Sequence, residues 1–153
     1  MKKLNNSGFS LVELIIVMAI MAILTVAVAP QYLKYVERSR KSVDVQTMAT
    51  VVSAIQIYAA DPMADTLTNG NHTLSIKQGG DTTPAADTLF GKALNNAGIS
   101  TITIKSKQWS SDENINFVVT VTDGIPTNFD VTNEKDDLDI IKGVTEKTTV
   151  SGS

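Results

Sequence analysis

Apolar and polar positions fall into three regimes along the chain. From Phe9 to Ala29 the run is apolar on every side, and between Leu14 and Ala29 it holds no charged side chain and one hydroxyl, Thr25. These 21 residues rise about 31 Å as a helix, one hydrocarbon thickness, and predict a membrane-spanning segment. Beyond Pro30 the pattern becomes periodic. Val36, Val43, Met48, Val51, Val52, Ile55, Tyr58 and Ala59 recur largely at spacings of three and four, with no glycine or proline before Pro62. That spacing predicts a helix with one buried face. Glu37, Arg38, Arg40, Lys41 and Asp44 take the other side, which reads as a solvated face rather than a lipid-headgroup contact. The two regimes join as one helix from Phe9 to Ala60, with Pro30 expected to kink it by removing a backbone hydrogen bond.

The third regime alternates. Asp61 to Gly80 is a polar connection with turn signals at Asn69-Gly70 and Gly79-Gly80, and within it HTLSIK (72–77) reads as a short strand. Thr83-Pro84 predicts a helix start, and PAADTLFGKALNNAG carries Leu89, Phe90, Ala93 and Leu94 towards a stop at Gly98. STITIKSKQW (100–109) and NINFVVTVT (114–122) read as strands joined by SSDEN in a hairpin. Phe129 and Val131 suggest a further strand after Gly124–Pro126, and DLDIIKGVTEKTTV an edge strand or turn. The predicted class is α+β: a small antiparallel sheet packed on the amphipathic half of a long helix. The expected divisions are 1–8, a leader; 9–29, the apolar helix; 30–60, the amphipathic half; and 61–153, a globular head.

Composition narrows the chemistry. A net charge of −3 gives no basic stripe for nucleic acid. The absence of cysteine removes disulfides, thiol nucleophiles and thiolate metal sites. His72 is the only histidine, with no partner for metal or acid–base work. Asp130, Asp136, Asp137 and Asp139 lie in an acidic tract without the glycine and spacing of an EF-hand, so it reads as a solvated loop. Asn71-His72-Thr73 matches a glycosylation acceptor too common to weigh, and Trp109 reads as a core aromatic. No phosphate loop, zinc-protease motif or nucleophile elbow is present. The expectation is a protein without catalytic residues, cofactor or metal.

Glu13 is the misfit. It lies inside the apolar run, where a carboxylate costs roughly 2.5–3.5 kcal/mol in hydrocarbon. Lys2 and Lys3 precede the run as in a targeting segment, yet no small-residue cleavage site follows it; the small residue, Gly8, comes before it. GFSLVE followed by such a run and Pro30 resembles the type IV pilins and the related pseudopilins over about the first 55 residues. The resemblance implies that a prepilin peptidase cuts after Gly8 and N-methylates Phe9. It implies that Glu13 is the assembly residue, pairing with the Phe9 amine of a neighbouring subunit. Partners implied are a homo-oligomeric helical filament, the membrane, and the assembly platform with its ATPase. The implied location is the bacterial cytoplasmic membrane for the precursor and a cell-surface filament afterwards.

Two positions depart from the family pattern. Ser10 replaces the commoner threonine, and Ala22 stands where many members have glycine, which weakens the expectation of local unwinding between Ala22 and Pro30. Many pilins of Gram-negative bacteria also close a C-terminal loop with a disulfide. A chain without cysteine leans instead towards a Gram-positive source or a pseudopilin-like member. Three readings stand: a filament subunit, a pseudopilin of a secretion or DNA-uptake machine, and a monomeric membrane-anchored binding module. Glu13 separates the last from the others, since a plain anchor gains nothing from a carboxylate there.

Overall fold

A computed structural model describes residues 9–132. The chain forms two units, one up to Arg38 and one from Ser39 onward. Helix α1, Leu11–Ala60, contributes to both. In the first unit α1 is apolar and exposed, with none of its most apolar 18-residue stretch buried within the protein. It is long and apolar enough to cross a membrane. Pro30 lies inside α1. The helix begins at Leu11, two residues later than the apolar run, because Phe9 and Ser10 precede the first helical turn.

In the second unit, the end of α1 is followed by β1 (Gly70–Lys77), β2 (Gly80–Thr82), α2 (Leu89–Asn96), β3 (Ile102–Ile104), β4 (Asn114–Thr122) and β5 (Ile125–Thr132). An antiparallel sheet runs in the order β1-β4-β5, and β2 pairs with β3 in a separate two-stranded sheet. Central strand β4 turns Ile115, Phe117, Val119 and Val121 inward, as its alternation predicts. They meet Met48, Val51, Val52, Ile55 and Tyr58 of α1, and Phe90 and Leu94 of α2, in one core. Phe117 is the aromatic hub: its ring centroid lies 5.6 Å from Phe90 and 6.3 Å from Phe129. An α+β architecture, with a helix packed on a small antiparallel sheet, is therefore the observed fold.

Several details depart from expectation, each for a local reason. Asp44, expected on the solvated face of α1, is fully buried, while Val43, expected inside, is exposed. Asp44 accepts Lys105 N–H at 2.7 Å, Ser106 N–H at 2.8 Å and Trp109 Nε1–H at 2.8 Å. Gln78, also buried, accepts the Trp109 and Ser110 N–H groups and donates to the Asp112 carbonyl. These two side chains engage backbone groups that a longer β3 ladder would need. Hence β3 is short and pairs with β2, and the expected 100–109 to 114–122 hairpin through SSDEN does not form.

Helix α2 starts at Leu89 instead of Pro84, with Thr88 as its N-cap accepting Gly91 N–H at 3.1 Å. It ends in a Schellman arrangement: Ile99 N–H reaches the Leu94 carbonyl and Gly98 N–H that of Asn95, with Gly98 at φ 73°. The β4–β5 connection is the two-residue Asp123-Gly124, at φ 53° and 75°, so β5 begins at Ile125 and includes Pro126. Positive φ at both central residues is the signature of a type I′ hairpin. Among the described residues β5 lies at the edge of the three-stranded sheet, where proline is tolerated. The leader, the predicted tail element at 137–150 and the acidic positions Asp136, Asp137 and Asp139 lie outside the described residues.

Candidate functional site

The sequence places its distinctive chemistry at the start of α1. Phe9 is 91% exposed and outside the helix. Ser10 stands at the N-cap position, and its carbonyl accepts Leu14 N–H at 3.3 Å, the first bond of the helical ladder. Glu13, at the third helical position, folds back so that Oε2 accepts Ser10 N–H at 3.1 Å. This is the carboxylate half of a capping box, in which the residue at the third position satisfies the otherwise orphaned N–H of the cap. A negative charge in the first turn also meets the positive end of the helix dipole. Gly8 lies outside the described residues.

Downstream of Glu13 the exposed surface of α1 is apolar as far as Ala29. Thr25, the one hydroxyl there, donates to the Met21 carbonyl at 2.8 Å and so needs no partner outside the helix. Pro30 offers no N–H to the Val26 carbonyl one turn before it. Ala22 is an ordinary helical residue of α1. Tyr32 and Tyr35 follow the apolar stretch, 63% and 73% exposed, and share one side of the helix with Val28, Gln31 and Arg38. From Leu14 to Ala29 the groups that follow Glu13 are thus apolar or internally satisfied.

A groove of about 370 Å³ in the second unit is lined by Tyr58, Asp65, Thr68, His72, Asp87 and Lys92 among others. Two pairs of its polar groups engage each other. Lys92 Nζ lies 2.6 Å from Asp65 Oδ2, and His72 Nε2 lies 2.9 Å from the Thr68 carbonyl oxygen. The hydrogen bond from Lys92, and then its charge, hold the Asp65 carboxyl below the usual carboxylate range; Asp65 raises Lys92 in return. Among the described residues no three acidic or histidine side chains are grouped to hold a metal ion. Trp109 is a core aromatic, 3% exposed, with Lys41 Nζ 5.0 Å from the centre of its ring.

Comparison with known proteins finds a family match at this end of the chain and one similar relative. The family described as the prokaryotic N-terminal methylation motif matches residues 3–29. A protein of Clostridium perfringens (strain 13 / Type A), named prepilin peptidase-dependent protein A, is 37% identical over 70 residues, covering 44% of this chain and 49% of that relative. The matched part therefore spans about half the length of the relative. No solved structure matches the chain. Residues 3–29 thus carry the prokaryotic N-terminal methylation motif, at the head of an exposed apolar helix that an α+β unit follows.

Proposed function

We propose that this chain is the structural subunit of an extracellular type IV pilus-like filament, made as a precursor, held in the membrane and polymerised through the apolar part of α1. Glu13 carries the reading: it is a carboxylate at the head of a helix stretch that is otherwise uncharged and exposed. Cutting between Gly8 and Phe9 creates a cationic amine four residues away, and N-methylation preserves its charge. In a growing filament the amine of one subunit answers the carboxylate of the next, in a low-dielectric setting where a charge deprived of its partner costs several kcal/mol, on the order of 3–5. The relative's name refers to dependence on prepilin peptidase, and by extension the same enzyme would process this chain. Exposed Tyr32 and Tyr35, just beyond the apolar run, suit the headgroup level of a bilayer and support the membrane-held precursor.

Glu13→Ala and Glu13→Gln test the proposal together. Both are expected to insert into the membrane and to be cleaved, since Gly8 and the apolar run persist, and both are expected to build few or no filaments. Glutamine keeps the shape and removes the charge, so its defect isolates the ion pair. Cleaved protein in the membrane and filaments outside the cell are quantified side by side. Normal filaments from both variants would favour the monomeric anchored module instead.

A further inference from the structure

The bond from Ser10 N–H to Glu13 Oε2 gives the carboxylate a task inside its own chain, before any neighbour is present. We infer that Glu13, as the carboxylate half of a capping box at Ser10, fixes where α1 begins in the membrane-held precursor, with Ser10 N–H positioning the Glu13 carboxylate. The inference rests on the filament reading for its purpose, but its observation is independent of it.

Three features carry it. Ser10 and Glu13 have the residue types and the three-residue spacing of the box. The Ser10 carbonyl accepts the Leu14 N–H at 3.3 Å, so the ladder starts there and Phe9 stays outside it. In an apolar surround an orphaned N–H is costly, and no neighbouring side chain between Leu11 and Leu14 other than Glu13 has an acceptor to offer. The consequences are concrete. Phe9, which forms one side of the expected cut, is left out of the helical hydrogen bonding. The carboxylate is held against its own helix end, so an isolated subunit does not carry a wholly unpartnered charge. A carboxylate has two oxygens and several lone pairs, so accepting one N–H leaves capacity for an incoming amine. Glu13 then has two separable roles: capping needs only an acceptor, and docking needs the charge.

Glutamine serves a capping box as glutamate does, whereas alanine does not. The test measures amide hydrogen exchange at Ser10 in the full-length precursor in phospholipid nanodiscs, alongside filament yield from cells. Glu13→Ala is expected to speed Ser10 exchange about fivefold, the loss of one cap, while Glu13→Gln stays within about twofold of the unaltered chain; filaments fail in both. Ser10 exchange in Glu13→Ala within twofold of the unaltered chain would overturn the inference, as would Glu13→Gln exchanging as fast as Glu13→Ala. If the exchange pattern holds while both variants build normal filaments, the capping role stands and the filament reading falls.

Discussion

Asp44 and Trp109 are 65 residues apart in sequence, yet the indole Nε1–H donates to Asp44 Oδ2 at 2.8 Å with both residues buried. With the Lys105 and Ser106 N–H groups, the carboxylate closes a three-donor cluster that joins α1 to the segment after β3. Asp44→Ala leaves those donors without an acceptor in a buried site. The expected loss of stability is about 3 kcal/mol or more, since each unsatisfied buried group costs roughly 1–3 kcal/mol. Trp109→Phe removes one donor and keeps most of the ring, so it should cost less than Asp44→Ala. Denaturant unfolding of a fragment lacking residues 1–32 measures both. Equal stability of the Asp44→Ala and unaltered fragments would show that the cluster holds nothing together.

That fragment is itself an expectation. The retained part of α1 buries Met48, Val51, Val52, Ile55 and Tyr58 against the sheet, and the exposed apolar run is largely removed. It should be a soluble monomer with a cooperative unfolding transition. Aggregation, or a circular dichroism spectrum without the helix and strand signals, would contradict the packing of α1 on the sheet.

Gly91 looks like a flaw in α2, since alanine favours a helix by about 1 kcal/mol. A Cβ at that position would lie 2.0 Å from the Ala85 carbonyl oxygen and 2.8 Å from Ala86 Cα, both backbone. Gly91→Ala is therefore expected to destabilise the fragment by about 1–3 kcal/mol, the usual cost of overpacking. An increase in melting temperature would mean that the turn before α2 yields freely.

Processing has a mass signature. The mature chain is expected to start at a methylated Phe9. It loses two of its thirteen basic residues, Lys2 and Lys3, and keeps all sixteen acidic ones, so the net side-chain charge moves from −3 to −5. Intact-mass analysis of sheared surface protein reads this directly. Lys2 and Lys3 retained in assembled material would count against a cut after Gly8.

The Asp65–Lys92 pair gives a pH dependence of known sign. The folded state holds the Asp65 carboxyl below its ordinary value, so its contribution is present above that ordinary value and fades as pH falls through the folded one. Lys92 is raised, so its contribution is present below the ordinary lysine value and fades as pH climbs through the folded one. The pair is solvent-exposed, and its effect on stability should be small. Carbon-13 NMR titration of the Asp65 carboxyl should show a low midpoint that returns to the ordinary range in Lys92→Ala. An unchanged midpoint in that variant would remove Lys92 as the cause.

Legibility in the sequence followed the reach of each interaction. The alternation of NINFVVTVT sets which side chains of β4 face inward, and the three-and-four spacing of Met48, Val51, Val52 and Ile55 does the same for α1. Two local signals were available at the residue level and outweighed by broader patterns. Ser10-x-x-Glu13 marks a helix start, and Asp123-Gly124 marks a two-residue hairpin. The burial of Asp44 had no local signal, because its partners arrive from 61 to 65 residues away. Gly91 was equally opaque: the backbone that crowds it belongs to a turn whose path the side chains alone do not specify.

The polar anchoring of the segment from Lys105 to Asp112 implies an order of events during folding. The β4–β5 hairpin closes across two residues, so its pairing needs little loop entropy. The 105–112 segment depends on Asp44 from α1 and on Gln78 from the β1–β2 turn, and neither is near it in the chain. Those contacts form only once α1 and that turn have been brought together, which makes the segment a late arrival. In the native protein the same dependence makes it a cooperative unit. Loosening α1 releases the Lys105 and Ser106 amides together, so their hydrogen exchange should rise and fall as one.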